Sequence, residues 1–396
     1  MVGGLRRRPE SVPVAAPRLS VALRVPNERR VVRRVEERAP GRPLHARIES
    51  RSERSVSPGE RTLKTVDFEG RFVPTRIAIS DDRKNFPDVF ERVLAGHDVS
   101  ITSVDLSTES AVVEACTNAD VLVTDSSAPV TSHAVQSLGH LRAIMQTSTG
   151  VDNIDVGAAD AQGITVTRAP RYARDDVATH ALGLLLACAR KIVTYHNSVQ
   201  SGVWSSYELG APIHRLSGGT IGVVAFGSIA RRFVHRLDGF DVDVVVYDPY
   251  VDADTIDAHG ARKVPLDELP EVADHVSSHA PLTAETRGML DSEFFAALDD
   301  DAIVVNTGRG GVIDETALAA ALEQGELAAA GLDVFDEEPP FGSSLLDRDD
   351  VVVTPHAAWY SEESIREANE SVAADLARIL DGDEPEGVVE PDTEWV

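Results

Sequence analysis

Three residues in the last quarter of the chain carry side chains that together can do one kind of chemistry. Arg309 lies in Asn306-Thr-Gly-Arg-Gly-Gly, Glu338 in Asp333-Val-Phe-Asp-Glu-Glu-Pro, and His356 in Thr354-Pro-His-Ala-Ala-Trp. A guanidinium is a planar fork that grips a carboxylate through two parallel hydrogen bonds and polarises a neighbouring keto oxygen. An imidazole titrates near neutral pH, so it can give a proton to an alkoxide and take it back in the reverse direction. A carboxylate at the other ring nitrogen favours the protonated imidazole and fixes its orientation. Such a trio is what hydride transfer to a 2-keto acid asks of a protein. Glu337 is adjacent to Glu338, and spacing alone does not choose between them.

Each of the three follows a short apolar run that reads as a strand: Ala302–Asn306, Ala329–Val334 and Val351–Thr354. Ligands of open parallel sheets bind beyond strand carboxyl ends, where these turns fall. Upstream, Thr220-Ile-Gly-Val-Val-Ala reads as a strand, Ser228 to Leu237 as a helix and Asp243-Val-Val-Val-Tyr-Asp as the next strand. The turn between the first two is Ala225-Phe-Gly-Ser-Ile-Ala. Gly227 stands where a backbone must approach a pyrophosphate most closely, and the amides of Phe226, Ser228 and Ile229 open the helix toward phosphate. Alanine at the third glycine position is a tolerated variant, whereas Ala225 at the first asks the tight turn to avoid positive φ. Asp248 follows Gly227 by 21 positions. There a carboxylate accepts from the adenosine ribose hydroxyls and repels a 2′-phosphate, which favours NAD over NADP.

Strand and helix patterns also alternate in the first half. Strands are read at Arg76-Ile-Ala-Ile-Ser, Val99 to Val104, Val121-Leu-Val-Thr and Leu141 to Gln146, with helices at Phe86 to Leu94 and Val112 to Ala119. The expected class is α/β with two doubly wound parallel-sheet domains. One long helix, about Asp175 to Ser198, has apolar residues Val177, Ala181, Leu184, Leu185, Cys188 and Ile192 at helical spacing and suits a connector between them.

Bulk properties exclude other classes. The net charge of −27 hides an asymmetry: residues 1–64 hold 16 basic and 7 acidic side chains, net +9, and the remaining 332 hold 22 and 58, net −36. Only four lysines occur, Lys64, Lys84, Lys191 and Lys263. So acidic a body repels phosphate backbones, which argues against nucleic acid as a partner, and fits a surface of hydrated carboxylates in a salty cytosol. No apolar run reaches about 18 residues, so no membrane span is expected. Cys116 and Cys188 read as buried free thiols of a cytoplasmic protein rather than a disulfide. No metal site is expected. Residues 1–70, rich in Arg, Pro, Ser and Glu, read as a disordered extension or as a mis-assigned start, with Val66 and Val73 as alternative starts because the next methionine is Met145.

Six stretches resemble the D-2-hydroxyacid dehydrogenase family: Ser148-Thr-Gly-Val-Asp-Asn-Ile-Asp, Gly222-Val-Val-Ala-Phe-Gly-Ser-Ile-Ala, His279-Ala-Pro-Leu-Thr, Asn306-Thr-Gly-Arg-Gly-Gly-Val-Ile-Asp, Gly331-Leu-Asp-Val-Phe and Thr354-Pro-His. The resemblance spans about residues 75–385. It implies a Rossmann NAD domain, 174–356, inserted in a flavodoxin-like substrate domain, 71–173 plus 357–396, which the C-terminal helix at about Tyr360–Asp381 completes. It implies Arg309, Glu338 and His356 as the catalytic set and a homodimer. Cofactor contacts are implied at His279, Ala280, Pro281, Thr286, Thr307, Gly308 and Thr179, with Asp333 near the nicotinamide. Ser148, Thr149 and Gly150 would hold the substrate carboxylate. His356-Ala-Ala-Trp-Tyr-Ser is similar to the C-terminal-binding protein branch, whose Trp, here Trp359, lines the substrate pocket and suits an apolar or thioether 2-keto acid. One departure is Val177-Ala-Thr-His180, where Val-Ala-Glu-His is common. The implied activity is an NAD-dependent 2-keto acid reductase, with D-3-phosphoglycerate dehydrogenase or an NAD(H)-sensing, corepressor-like binding protein as the alternatives. A formate dehydrogenase would carry Gln at 338. Asp125-Ser-Ser-Ala-Pro, expected to border the pocket, has no cation to select a phosphate, which weighs against phosphoglycerate.

Overall fold

In the computed structural model, which describes residues 65–66, 72–207 and 212–391, the alternation becomes two all-parallel sheets. A two-residue antiparallel pair comes first, β1 (Thr65–Val66) with β2 (Phe72–Val73). The expectation of disorder or a late start for residues 1–70 otherwise lies outside the described residues.

The first sheet holds β3 (Thr75–Ser80), β4 (Val99–Val104), β5 (Val121–Thr124), β6 (Ala143–Gln146) and β7 (Thr165–Thr167) in the order β4-β3-β5-β6-β7. The second holds β8 (Thr220–Val224), β9 (Asp243–Tyr247), β10 (Arg262–Lys263), β11 (His275–Ser278), β12 (Ile303–Asn306), β13 (Ala329–Leu332) and β14 (Val351–Val353) in the order β10-β9-β8-β11-β12-β13-β14. The first order is that of flavodoxin and the second is the dinucleotide-binding order with one strand added. Both sheets reverse direction of winding, at β3/β5 and at β8/β11, so each opens a crevice beyond its strand ends. β7 and β10 are not in the sequence reading, since two or three residues are too short to display a period.

Buried strands need apolar residues on both faces, and β5, β6, β11, β12 and β13 are buried throughout. The C-terminal helix Glu362–Asp381 starts in a Ser361/Ser364 capping box and ends at Gly382, whose φ is 87°. It packs Ala368, Val372, Ala373, Leu376 and Leu380 against Ile77, Ile79, Phe90, Val121 and Val123 of the first sheet's core. The chain therefore returns to the layer in which it began.

The expected helix over 175–198 is two helices. Arg174–Ala189 packs on β12, β13 and the helix Ser228–Leu237, then bends by 60° into Ile192–Gln200. Lys191, at φ 49°, is left-handed and breaks the hydrogen-bond ladder. The apolar period runs through the break and conceals it. Beyond the bend Ile192, Val193, Val199, Val203, Trp204 and Tyr207 are exposed. Among the described residues no single helix is long and apolar enough to cross a membrane; only this bent pair taken together is. Cys116 and Cys188 are free and buried, and burial pushes both thiols up to about 12.

Candidate active site

Arg309 begins from a tight junction. A Cβ on Gly310 would lie 1.8 Å from the backbone of Phe335, so only glycine lets the turn after β12 rest on the exit of β13. Asn306, the last residue of β12, donates from Nδ2 to the Arg309 carbonyl and accepts from Gly308 N, both at 3.0 Å. The guanidinium is thereby aimed across to the first sheet. Its Nη2 stands 3.6 Å from Asp152 and would be 2.7 Å from a Cβ on Gly150. Ser148, Thr149 and Gly150 follow β6, and their loop is tied by Ser148 Oγ to the Gly150 carbonyl and by Thr149 Oγ1 to the Ala169 carbonyl. Arg309 and the Ser148–Gly150 loop are thus brought together from different sheets. Tyr172 stands near both; burial pushes its hydroxyl up to about 12 despite the charge of Arg309.

Of the two glutamates, Glu338 reaches the imidazole: its Oε2 is 2.7 Å from His356 Nδ1, and its Oε1 accepts from Phe335 N at 3.0 Å. A carboxylate only accepts, so Nδ1 carries the proton of this contact and Nε2 is the nitrogen not engaged by Glu338. Burial works to raise the Glu338 carboxyl, but the hydrogen bonds from His356 and Phe335 and the charge of Arg309 outweigh it and hold it below the ordinary value. His356 itself has φ 50° and donates its N–H to the Asp333 carbonyl at 2.8 Å.

Asp333, expected near the nicotinamide, has its carboxylate buried at 1 % exposure and engaged by the His356 loop. Oδ1 accepts from Thr354 Oγ1 at 2.5 Å and Ala357 N at 2.8 Å, and Oδ2 accepts from Ala358 N at 2.9 Å. Trp359 donates from Nε1 to the His356 carbonyl at 2.8 Å, which sets the indole beside the imidazole. Lys84 Nζ lies 5.7 Å from the centroid of that indole and 3.8 Å from Asp125 Oδ1. The stretch Asp125-Ser-Ser-Ala-Pro carries no cation of its own, as its sequence states, but the loop after β3 brings Lys84 beside Asp125.

The dinucleotide turn holds a correction. Ala225 does not avoid positive φ; it has φ 69°. Its N–H is held by the Tyr247 carbonyl at 2.8 Å and Phe226 N by Asp248 Oδ2 at 2.7 Å, so the next strand fixes the turn. Asp248 also accepts from Tyr250 N and Val251 N through Oδ1, so the expected ribose acceptor is a structural anchor as well. Phe226 is wholly buried, and Ile229 is partly buried beside Ala173 and Val177.

A dinucleotide fits what remains. A Cβ on Gly227 would meet nothing within 4 Å, and no side chain caps the helix that Gly227 opens. Ser278 Oγ, His279 Nδ1 and Thr307 Oγ1, at the ends of β11 and β12, are buried polar atoms without a partner. Such groups are costly unless a ligand or water satisfies them. Burial pushes His279 down to about 4, so its ring is neutral. Ala280 is buried, Gly308 lies beside it, and Pro281 accepts from Thr286 Oγ1 at 2.6 Å. Thr179 is not brought to this set; its hydroxyl donates to Asp175 O and accepts from Arg236.

Sequence reasoning missed Asp152, Tyr172, Lys84 and the Thr354 contacts. Lys84 alone had a signal, as one of four lysines in an arginine-rich chain.

The family model described as D-isomer specific 2-hydroxyacid dehydrogenase, NAD binding domain, matches residues 182–358. D-3-phosphoglycerate dehydrogenase of Methanocaldococcus jannaschii is 38% identical over 283 residues, 71% of this chain and 54% of that protein. The chain spans about half the length of the phosphoglycerate dehydrogenases it matches. Glyoxylate reductase of Korarchaeum cryptofilum is 36% identical over 284 residues, 70% of this chain and 85% of that one. Among solved structures, the TT0316 protein from Thermus thermophilus matches with a TM-score of 0.70 at 29% identity, covering 80% of this chain and all of that one.

Proposed function

From the premise that the chain belongs to the D-2-hydroxyacid dehydrogenase family, with that family's NAD-binding domain, we propose that it is an NAD-dependent reductase of 2-keto acids, working reversibly on D-2-hydroxy acids. The bound cofactor supplies or takes up the hydride at C4 of its nicotinamide. The remaining work falls to this chain. The backbone amides of Ser148, Thr149 and Gly150 and the guanidinium of Arg309 hold the substrate carboxylate, and Arg309 draws charge toward the keto oxygen. His356 gives the proton from Nε2 as the alkoxide forms at C2, and Glu338 stabilises the charged ring before that step. One hydride and one proton convert one keto acid to one hydroxy acid. The observation that carries this reading is the 2.7 Å contact of His356 with Glu338 on one side of a cleft that Arg309 bridges toward Gly150.

In the same proposal, residues 174–356 bind the cofactor and 71–173 with 357–396 bind the acid. The exposed apolar face of Ile192, Val193, Val199, Trp204 and Tyr207 supports a homodimer closed over it. The acidic body supports a cytoplasmic enzyme of a salt-rich interior, with no nucleic-acid or membrane partner.

A second reading has a specific observation behind it. Lys84, beside Trp359 and Asp125, is a cation at the cleft that suits a substrate with a distal acid group, D-3-phosphoglycerate among them. NADH oxidation against a panel of 2-keto acids separates these readings. Turnover with one class names the substrate; tight NADH binding with no turnover by any acid would sink the enzyme reading and leave a corepressor-like NAD(H) sensor. His356→Ala is expected to abolish turnover while NADH affinity stays within about twofold, since only the proton donor is lost.

A further inference from the structure

We propose that His180 and Thr354 are positioning residues for His356, through which the connector helix Arg174–Ala189 fixes the loop that carries the imidazole. This rests on the reading of His356 as the proton donor. Both oxygens of Asp333 accept backbone N–H groups, and the Thr354 hydroxyl donates to Oδ1, 2.5 Å away. The lone pairs of that hydroxyl then face His180 Nε2 at 2.9 Å, which assigns the His180 proton to Nε2. His180 Nε2 also stands 3.7 Å from Asp333 Oδ1, an ion-pair distance beyond hydrogen-bond reach, so the hydrogen-bonded route runs through the hydroxyl. The result is a directed chain from His180 to Thr354 to Asp333.

The chain matters because the loop is strained. A non-glycine residue at φ 50° sits above the right-handed alternative in energy and persists only where its surroundings over-determine it. Most of the tethers come from the strand-end loops themselves: the Asp333 carbonyl and carboxylate, and Trp359 Nε1. Two come from the connector. Ala173 and Val177 pack on Ala358, and His180 meets Thr354. Val177 and His180 are spaced i and i+3 on that helix and Ala173 is the residue that caps it, so the first two turns of one helix and its cap grip both ends of the His356 loop. That helix begins where the chain leaves the first lobe, just after Tyr172, so its placement is passed directly to the imidazole.

The test is a double-mutant cycle on the full chain with NADH and its best keto acid. Thr354→Val keeps shape and removes both hydrogen bonds; His180→Ala removes the outer donor. Because small displacements of a reacting group are amplified in rate, Thr354→Val is expected to lower kcat about tenfold or more and His180→Ala about fivefold, with KM and NADH affinity within about twofold. Since the hydrogen-bonded route from His180 passes through Thr354, the double variant should match Thr354→Val alone within about twofold, and Thr354→Ser should restore the parent rate. Multiplying losses, or a Thr354→Val enzyme with unaltered kcat, would overturn the proposal. Carbethoxylation of His356, read by mass spectrometry, tests the loop without turnover. It should speed up in both single variants relative to the parent, and equal rates would overturn the proposal. A parent chain without turnover counts against the functional reading, and the carbethoxylation result still decides the positioning role.

Discussion

Two buried aspartates do matching work at opposite ends of the seven-stranded sheet. Asp248 stands one residue past β9 and Asp333 one residue past β13. Each accepts three hydrogen bonds, and each pins the loop leaving a neighbouring strand: Asp248 the turn after β8, Asp333 the loop after β14. Both loops contain a non-glycine residue in the left-handed region, Ala225 at 69° and His356 at 50°. The difference lies in who donates. Asp248 takes backbone N–H groups only, and the loop it shapes carries the main-chain amides proposed for the cofactor. Asp333 also takes the Thr354 hydroxyl, which a second side chain holds from outside the sheet, and the loop it shapes presents a titratable side chain. Binding a phosphate needs a backbone contour; delivering a proton needs an aimed ring, and the second demand recruits more tethers.

That division of labour is most exposed by removing the anchors. Asp333→Ala leaves one buried and one part-buried N–H group and a hydroxyl without an acceptor, and at about 1–3 kcal/mol for each unsatisfied donor the expected loss of stability is roughly 3–5 kcal/mol. Turnover should fall by at least about a hundredfold, because the imidazole is no longer held where it reacts. Urea unfolding and NADH oxidation measure the two effects. Asp248→Ala should destabilise somewhat less, roughly 2–4 kcal/mol, since part of its turn can take water in place of the carboxylate. Its signature is different: NADH affinity weaker by about tenfold or more, with kcat at saturating NADH close to the parent's. If Asp248→Ala lost kcat and Asp333→Ala lost only affinity, the assignment of one anchor to the cofactor and the other to the proton would be reversed.

Much of this was legible in the sequence where local pattern suffices. The βα alternation, the strand ends bearing Arg309 and His356, and the Gly227 turn each show in ten or so consecutive residues. What stayed hidden depends on closure in space. Lys84 is 41 positions from Asp125 and 275 from Trp359, and only the packing of β3 beside β5 and of the C-terminal helix on the first sheet brings the three together. The choice of Glu338 over Glu337 is a matter of which residue of a bending loop reaches the imidazole. The bend at Lys191 is invisible because the apolar period continues through it. A one-dimensional string does not reveal which amides converge on the carboxylates of Asp248 and Asp333. The left-handed Ala225 was missed for the same reason, since the bonds that hold it come from β9 and Asp248.

Acid should weaken the two ends in sequence. His279, at the cofactor end, has its pKa pushed down to about 4 by burial, from an ordinary 6.5. The unfolded chain takes up a proton below 6.5 and the folded chain does not until about 4, so stability declines as pH falls through that window. Glu338, at the proton end, is held below its ordinary 4.5, so its contribution is present above that value and is lost only at lower pH. Between pH 7 and 5 the parent should lose about 1–2 kcal/mol more than His279→Leu, measured by urea unfolding at both values. Equal losses would mean that the ring is already charged in the folded chain.

The smallest effect concerns Ala225, and it tests whether strain in the cofactor turn serves any purpose. Glycine at φ 69° relieves a penalty of about 1–2 kcal/mol, yet it forfeits a methyl group that packs against the core and gains freedom in the unfolded chain. The terms nearly cancel, so Ala225→Gly should shift stability by no more than about 1 kcal/mol, toward greater stability. NADH affinity should stay within about twofold, because the Phe226–Asp248 and Ala225–Tyr247 bonds that set the contour are untouched. A much tighter grip on NADH in this variant, read by fluorescence titration, would show that the strained alanine holds the turn away from its best binding shape. The cofactor loop would then be tuned by its backbone as closely as the His356 loop is by its side-chain tethers.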